Sequence, residues 1–243
     1  MSSSSLPKRV LLAVTSYHGP FYVNGDNTGL FYTEALHPYN VFRAAGFEVV
    51  LASETGAYGI DPHSIDKTFM SESDFAVYND KDSDFSRALA GMRKAGDLTP
   101  EDYGLFFASA GHATLFDYPE AAGLIAIAES VWARGGIVSA VCHGPAILPA
   151  IKDAATGKSI VAGRSVTGFT DSGEELMGLT KRIKDLGLVP ISEGAEAAGA
   201  TYKVPPGGPF DDFSVVDGRL VTGTNPASAH STAAKAVEAF SSL

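Results

Sequence analysis

The chain of 243 residues contains a single cysteine, Cys142. One cysteine cannot close an internal disulfide, so nothing in the sequence calls for an oxidising compartment. Basic residues are also scarce: 18 Lys and Arg stand against 28 Asp and Glu, a formal net charge of −10. That deficit argues against gripping the phosphates of nucleic acid, which takes clustered cations. It argues equally against adsorption to anionic membranes. No apolar run approaches the roughly 18 residues of a membrane span, and residues 1–9 lack the apolar centre of a secretory signal. No Gly-x-Gly-x-x-Gly follows the first strand, and neither paired cysteines nor a His-x-x-x-His pattern occurs. The expectation is therefore a soluble, cytoplasmic protein acting on a small, weakly charged molecule, with no nucleotide cofactor and no metal.

What is present is a large apolar fraction, 45%, punctuated by 26 glycines. Short β-branched runs alternate with helical stretches. Strands are expected over 9–14, 47–52, 104–108 and 137–141, with one or two more over 159–167. Helices are expected over 28–45, 119–134 and 227–240, the first with Pro38 inside it. Asp217-Gly218 marks a hairpin between 213–216 and 219–222. Such alternation predicts an α/β fold, a doubly wound, mostly parallel sheet with helices on both faces. Residues 55–103, rich in Asp, Ser and Lys, read as a surface insertion in a single domain spanning 1–243.

Cys142 sits where the strand 137–141 meets His143-Gly144-Pro145. Gly144 permits a sharp turn, and Pro145 suits the first turn of a helix. The pattern is a nucleophile elbow with cysteine in place of serine, and the dipole of the following helix is expected to favour the thiolate. A lone cysteine in an apolar strand is otherwise an inert filler. Ligands of open parallel sheets bind beyond the strand carboxyl ends, where Ser16-Tyr17-His18 and Ser109-Ala110-Gly111-His112 also fall. The Gly111 amide, with that of His143, suits an oxyanion hole; Gly111 reads equally well as an ordinary tight turn. Glu34 reads either as a solvated helix residue or as a carboxyl beside the sulfur, where its pKa would rise.

Several strings together resemble the ThiJ/PfpI superfamily, in particular its fungal glutathione-independent glyoxalase (glyoxalase III) and heat-shock-type branch. They are Leu11 to Tyr17, Glu34 to Pro38, Phe106 to His112, Thr114 to Pro119, Ala140 to Ala146, Thr167 to Glu174 and Val221 to Ala229. They follow one another across nearly the whole chain. The resemblance implies a flavodoxin-like sheet and a homodimer, with Cys142 as nucleophile, His143 as its base and Glu34 touching the thiol. It implies a third acid after Thr167-Gly168-Phe169-Thr170, which falls on Glu174, with Asp171 as a rival. Gly111 and His112 are the expected substrate-side residues. Ala113 departs from the pattern, since many relatives carry glycine there. The implied reaction converts methylglyoxal to lactate, and glyoxal to glycolate, through a cysteine hemithioacetal. A stress-induced holdase that binds unfolded client proteins, a thiol redox sensor and a cysteine peptidase or amidase are the alternatives.

Overall fold

The computed structural model describes residues 6–243; of the N-terminal stretch 1–9 read above, residues 1–5 lie outside the described residues. Strand β1, Arg9–Ala13, lies in the interior of a seven-stranded sheet. Helix α1, Thr33–Ala44, leads to β2, Glu48–Ser53, on one side of β1. A two-residue strand β3, Arg93–Lys94, forms the edge beyond β2. The chain then crosses to the other side of β1 with β4, Leu105–Ala108, followed by α2, Ala122–Ala133, and β5, Ile137–Val141. After the short helix α3, Asp171–Leu176, the hairpin β6, Ser214–Asp217, and β7, Leu220–Gly223, completes the sheet, and α4, Ala229–Ser241, closes the fold. The order is β6-β7-β5-β4-β1-β2-β3, parallel except for β6. The switch of direction lies between β1 and β4, which directs attention to their carboxyl ends.

Alternation along the strands explains the layers. Val10 and Leu12 face one side with Phe107 and Val141, against Leu36 and Phe42 of α1 and Ala233 and Ala236 of α4. Leu11 and Ala13 face the other with Phe106 and Val138, against Leu124, Ile127, Val131 and Trp132 of α2. With both faces covered, the strands have no polar side to present, hence the unbroken apolar runs read from the sequence. Trp132, the only tryptophan, is buried between two guanidinium groups, Arg219 at 3.9 Å and Arg164 at 4.9 Å from its ring.

The structure departs from the sequence reading in four places. The helix expected from residue 28 starts at Thr33, because Asn27–Thr28 pairs with Gly19–Pro20 and Leu30 bridges Ile60. The helix after Cys142 is a 3₁₀ segment, Gly144–Ala150. Pro149 has no N–H to give the Pro145 carbonyl, so an α-turn cannot continue. Within 159–167 the one strand is Ser165–Val166, pairing with Thr201–Tyr202 apart from the main sheet, and Ser159 forms only an isolated bridge with Lys152. The segment 55–103 is more than a surface insertion: it buries Met70, Phe85 and Leu89 in the core and returns to supply β3.

Candidate active site

Cys142 directly follows β5. Its amide donates to the Gly223 carbonyl at 2.9 Å and its own carbonyl accepts from the Phe169 amide at 2.8 Å. Held from both sides, it has φ of 57°, the only positive φ at a non-glycine residue among the described residues. Such backbone costs on the order of 1–3 kcal/mol and persists only where surroundings impose it. Gly144 makes the turn possible, since a Cβ there would lie 2.4 Å from the Ala108 carbonyl oxygen of β4. The thiol is thereby aimed away from the sheet at the tip of an elbow.

Three side chains extend from the sulfur in a line. Cys142 Sγ lies 3.2 Å from His143 Nδ1, and His143 Nε2 lies 2.6 Å from Glu174 Oε1. Burial alone would raise the Glu174 carboxyl, but the charge and hydrogen bonds of His112 and His143 outweigh it and hold it well below the usual range. An ionised carboxylate only accepts, so the His143 proton sits on Nε2 and leaves the Nδ1 lone pair facing the S–H. Burial, assisted by the neighbouring His112, pushes the imidazole down to about 4 against the pull of Glu174. His143 is thus a neutral acceptor at neutral pH. Asp171, the rival acid, instead accepts from the exposed Ser192 hydroxyl at 2.8 Å.

Glu34 lies in the first turn of α1 and is fully buried. Neither of its oxygens has a hydrogen-bond partner of regular geometry, and the Cys142 thiol is the polar group that acts on it most directly. Burial pushes its carboxyl up to about 8, partly countered by that thiol. It therefore carries a proton at neutral pH.

The thiol itself departs from expectation. Cys142 is 4% exposed, and burial raises it well above the ordinary thiol range, with the carboxyls of Glu34 and Glu174 adding to the effect. Only the His143 amide acts in the other direction. The short 3₁₀ segment does not supply the dipole of a long α-helix, so the resting sulfur is a thiol, not a free thiolate. Ionisation has to accompany attack, with His143 taking the proton.

Gly111 lies opposite, at the end of β4. Its φ of +131°, and the 2.0 Å that would separate an added Cβ from the Gly29 carbonyl oxygen, restrict the position to glycine. Its N–H has no acceptor among the described residues. His112 turns inward: its Nε2–H donates to Glu174 Oε2 at 3.1 Å while its ring stacks on Phe21 and lies 4.1 Å from that of His143. One carboxylate thus serves two imidazoles. The sequence reading placed His112 on the substrate side and missed this pairing.

A model of the DJ-1/PfpI family matches residues 28–239. The chain belongs to this family. It is 50% identical over 234 residues to the glutathione-independent glyoxalase HSP31 of Saccharomyces cerevisiae, covering 96% of this chain and 98% of that one. It is likewise 50% identical over 232 residues to glyoxalase 3 of Candida albicans, covering 96% and 98%. The crystal structure of glyoxalase III from Candida albicans superposes with a TM-score of 0.93, covering 96% of this chain and 97% of that one. The mostly parallel sheet with helices on both faces is the arrangement expected of a DJ-1/PfpI protein.

Other polar signals lie apart from the thiol of this DJ-1/PfpI chain. The end of β1 is tied to Asp117, which accepts from the Thr15 hydroxyl at 2.9 Å and the Ser16 amide at 2.6 Å. His37 pairs with Asp74 at 3.2 Å. Two contributors escaped the sequence reading. Thr114 donates to the His143 carbonyl at 2.9 Å and so braces the elbow. Asp61, fully buried, accepts from Tyr22 and Thr28 and adds negative charge near Glu34. Neither had a signal in its spacing, since Asp61 reaches the site only through the fold of 55–103. Ligand atoms of His112, His143 and Glu174 lie within 4.8 Å of one another. A cation held there would have to displace the Nε2 protons of both histidines from their carboxylate. No helix among the described residues is long and apolar enough to cross a membrane.

Proposed function

We propose that this protein is a glutathione-independent glyoxalase that converts methylglyoxal to lactate, and glyoxal to glycolate, with Cys142 as nucleophile. The observation that carries the reading is the Cys142–His143–Glu174 line at a strained elbow, with protonated Glu34 on its other side. Kinship with proteins named as glyoxalases over almost the full chain supports it.

The chemistry balances without a redox cofactor. As sulfur bonds to the aldehyde carbon, the S–H proton passes to His143 Nδ1 and the imidazolium rests against Glu174. The carbonyl oxygen becomes an oxyanion facing the amides of Gly111 and His143, and His143 returns the proton to it, giving a hemithioacetal. His143 then removes the hydrogen on C1 as Glu34 protonates the ketone oxygen at C2, which yields an enediol. His143 delivers its proton to C2 and Glu34 recovers one from the C1 hydroxyl. The product is a thioester; C1 is oxidised by the same two electrons that reduce C2. Water hydrolyses the thioester and restores the thiol.

Purified protein with methylglyoxal and no glutathione should release lactate; absence of lactate overturns the reading. Because His143 acts unprotonated and Glu34 protonated, kcat/KM should rise with pH through about 4 and fall above about 8. A flat profile between pH 7 and 10 would contradict the part assigned to Glu34.

A redox sensor needs an exposed, ionised thiol, and a peptidase needs an open groove; a buried sulfur favours neither. The homodimer and the binding of unfolded clients remain proposals drawn from family resemblance. Light scattering in solution checks the first. Suppression of client aggregation by a Cys142→Ala protein checks the second.

A further inference from the structure

A cavity of about 360 Å³ opens beside the candidate site, and its walls are largely aromatic and apolar: Tyr22, Phe31, Ile65, Phe69 and Met177, with His63 and Asp66 as polar members and the His112 ring at its inner end. Its position relative to the sulfur is fixed by three contacts. The Phe31 amide donates to the Ala110 carbonyl at 2.7 Å, which seats Phe31 against the Gly111 turn. His112 lies 4.1 Å, ring to ring, from His143, which in turn faces Sγ. Met177 ends the helix that carries Glu174, three residues before it. The cavity thus borders the Gly111 turn, on the side of the proposed oxyanion amides, with the His112 and His143 rings leading from its inner end to the thiol.

Its size and surface fit methylglyoxal poorly. The molecule has five heavy atoms, so a site of ordinary ligand-pocket dimensions is left mostly empty once its two carbonyls are engaged. Phe31 and Phe69 meet edge to face at 5.0 Å, and Tyr22 lies edge-on to His112 at 6.2 Å, so the walls offer both faces and edges to another ring. Phe69 and Met177 nevertheless leave 39% and 44% of their surface in water. No Lys or Arg lines the cavity; His63 does, but its Nε2 already pairs with Asp26 at 3.0 Å, and Asp66 lies on the same wall, so an anionic substituent meets no free cation there.

We propose that this cavity binds the substituent on the ketone carbon, and that the preferred substrates are α-ketoaldehydes with an uncharged aromatic or bulky apolar group in place of methyl. The inference rests on the glyoxalase reading and narrows it to a substrate class. Gains of tenfold or more are ordinary when a ligand fills such a space, since single methylenes in apolar pockets are worth about tenfold or above.

The test compares phenylglyoxal with methylglyoxal, without glutathione, by the hydroxyacid each releases, in the unaltered protein and in Phe69→Ala and Met177→Ala. The expected result is a kcat/KM for phenylglyoxal at least about tenfold above that for methylglyoxal, expressed in KM. Each variant should lose about tenfold of that preference. Equal or lower kcat/KM for phenylglyoxal, or variants that change both substrates in proportion, overturns the inference and leaves the glyoxalase reading standing. Failure of both substrates in the unaltered protein overturns the reading and the inference together. Circular dichroism of the variants separates loss of fold from loss of preference.

Discussion

Cys142→Ala is expected to remove lactate formation from methylglyoxal to the limit of detection, a loss of roughly 10⁴-fold or more, as when a covalent nucleophile is deleted elsewhere. No other thiol exists in the chain to replace it. The fold should survive. Alanine removes one buried atom, with a cost of about 1 kcal/mol, and the 57° φ at this position is already paid for by hydrogen bonds to the Gly223 carbonyl and from the Phe169 amide, which do not involve the side chain. Equilibrium unfolding of the variant should therefore lie close to that of the parent. Cys142→Ser is the stricter control, since it keeps the shape and the His143 contact but offers a hydroxyl that is far harder to deprotonate. Lactate production persisting in either variant would remove sulfur from the mechanism.

Glu34→Gln has the second large effect, and it appears in two measurements of different kinds. In catalysis the amide keeps the volume but cannot exchange a proton, so kcat should fall by about 10² to 10⁴, and the decline above about pH 8 should vanish with it. In stability the effect has the opposite sign. The carboxyl is raised in the folded state from about 4.5 to about 8. A raised pKa means that the stability tied to the protonated form is fully present below about 4.5 and is lost as pH climbs through about 8. Over that window the parent should lose a few kcal/mol that the variant does not, so the variant becomes progressively the more stable protein. Urea unfolding at pH 5, 6.5 and 8 checks this. Parallel pH dependence in parent and variant would mean that Glu34 ionises freely and shares no proton with the sulfur.

The parallel strands were legible because a sheet covered on both faces leaves only apolar side chains along each strand. The elbow was legible because cysteine, glycine and proline occupy fixed offsets. Glu174 was named, but its link to His143 rests on the fold of Thr170–Leu176, as does the exclusion of Asp171, three residues away on the same short helix. The state of the thiol was misread for a physical reason. A local string shows the turn and the helix that follows, yet desolvation is set by everything packed around the sulfur, including Glu34 more than a hundred residues earlier. Pro149 was visible as well, and its missing N–H already ruled out a regular helix with a strong dipole after the elbow. Asp61 and the aromatic cavity lay beyond such reading, because they form only when 55–103 folds back over the carboxyl ends of the strands.

The solitary indole of Trp132 lies on α2, beneath the face of the sheet opposite α1 and pinned by Arg164 and Arg219. Its emission is consequently a ready-made optical signal for loss of the whole native state. Unfolding curves can be recorded by fluorescence with no added dye, and variants across the protein can be ranked on one common scale.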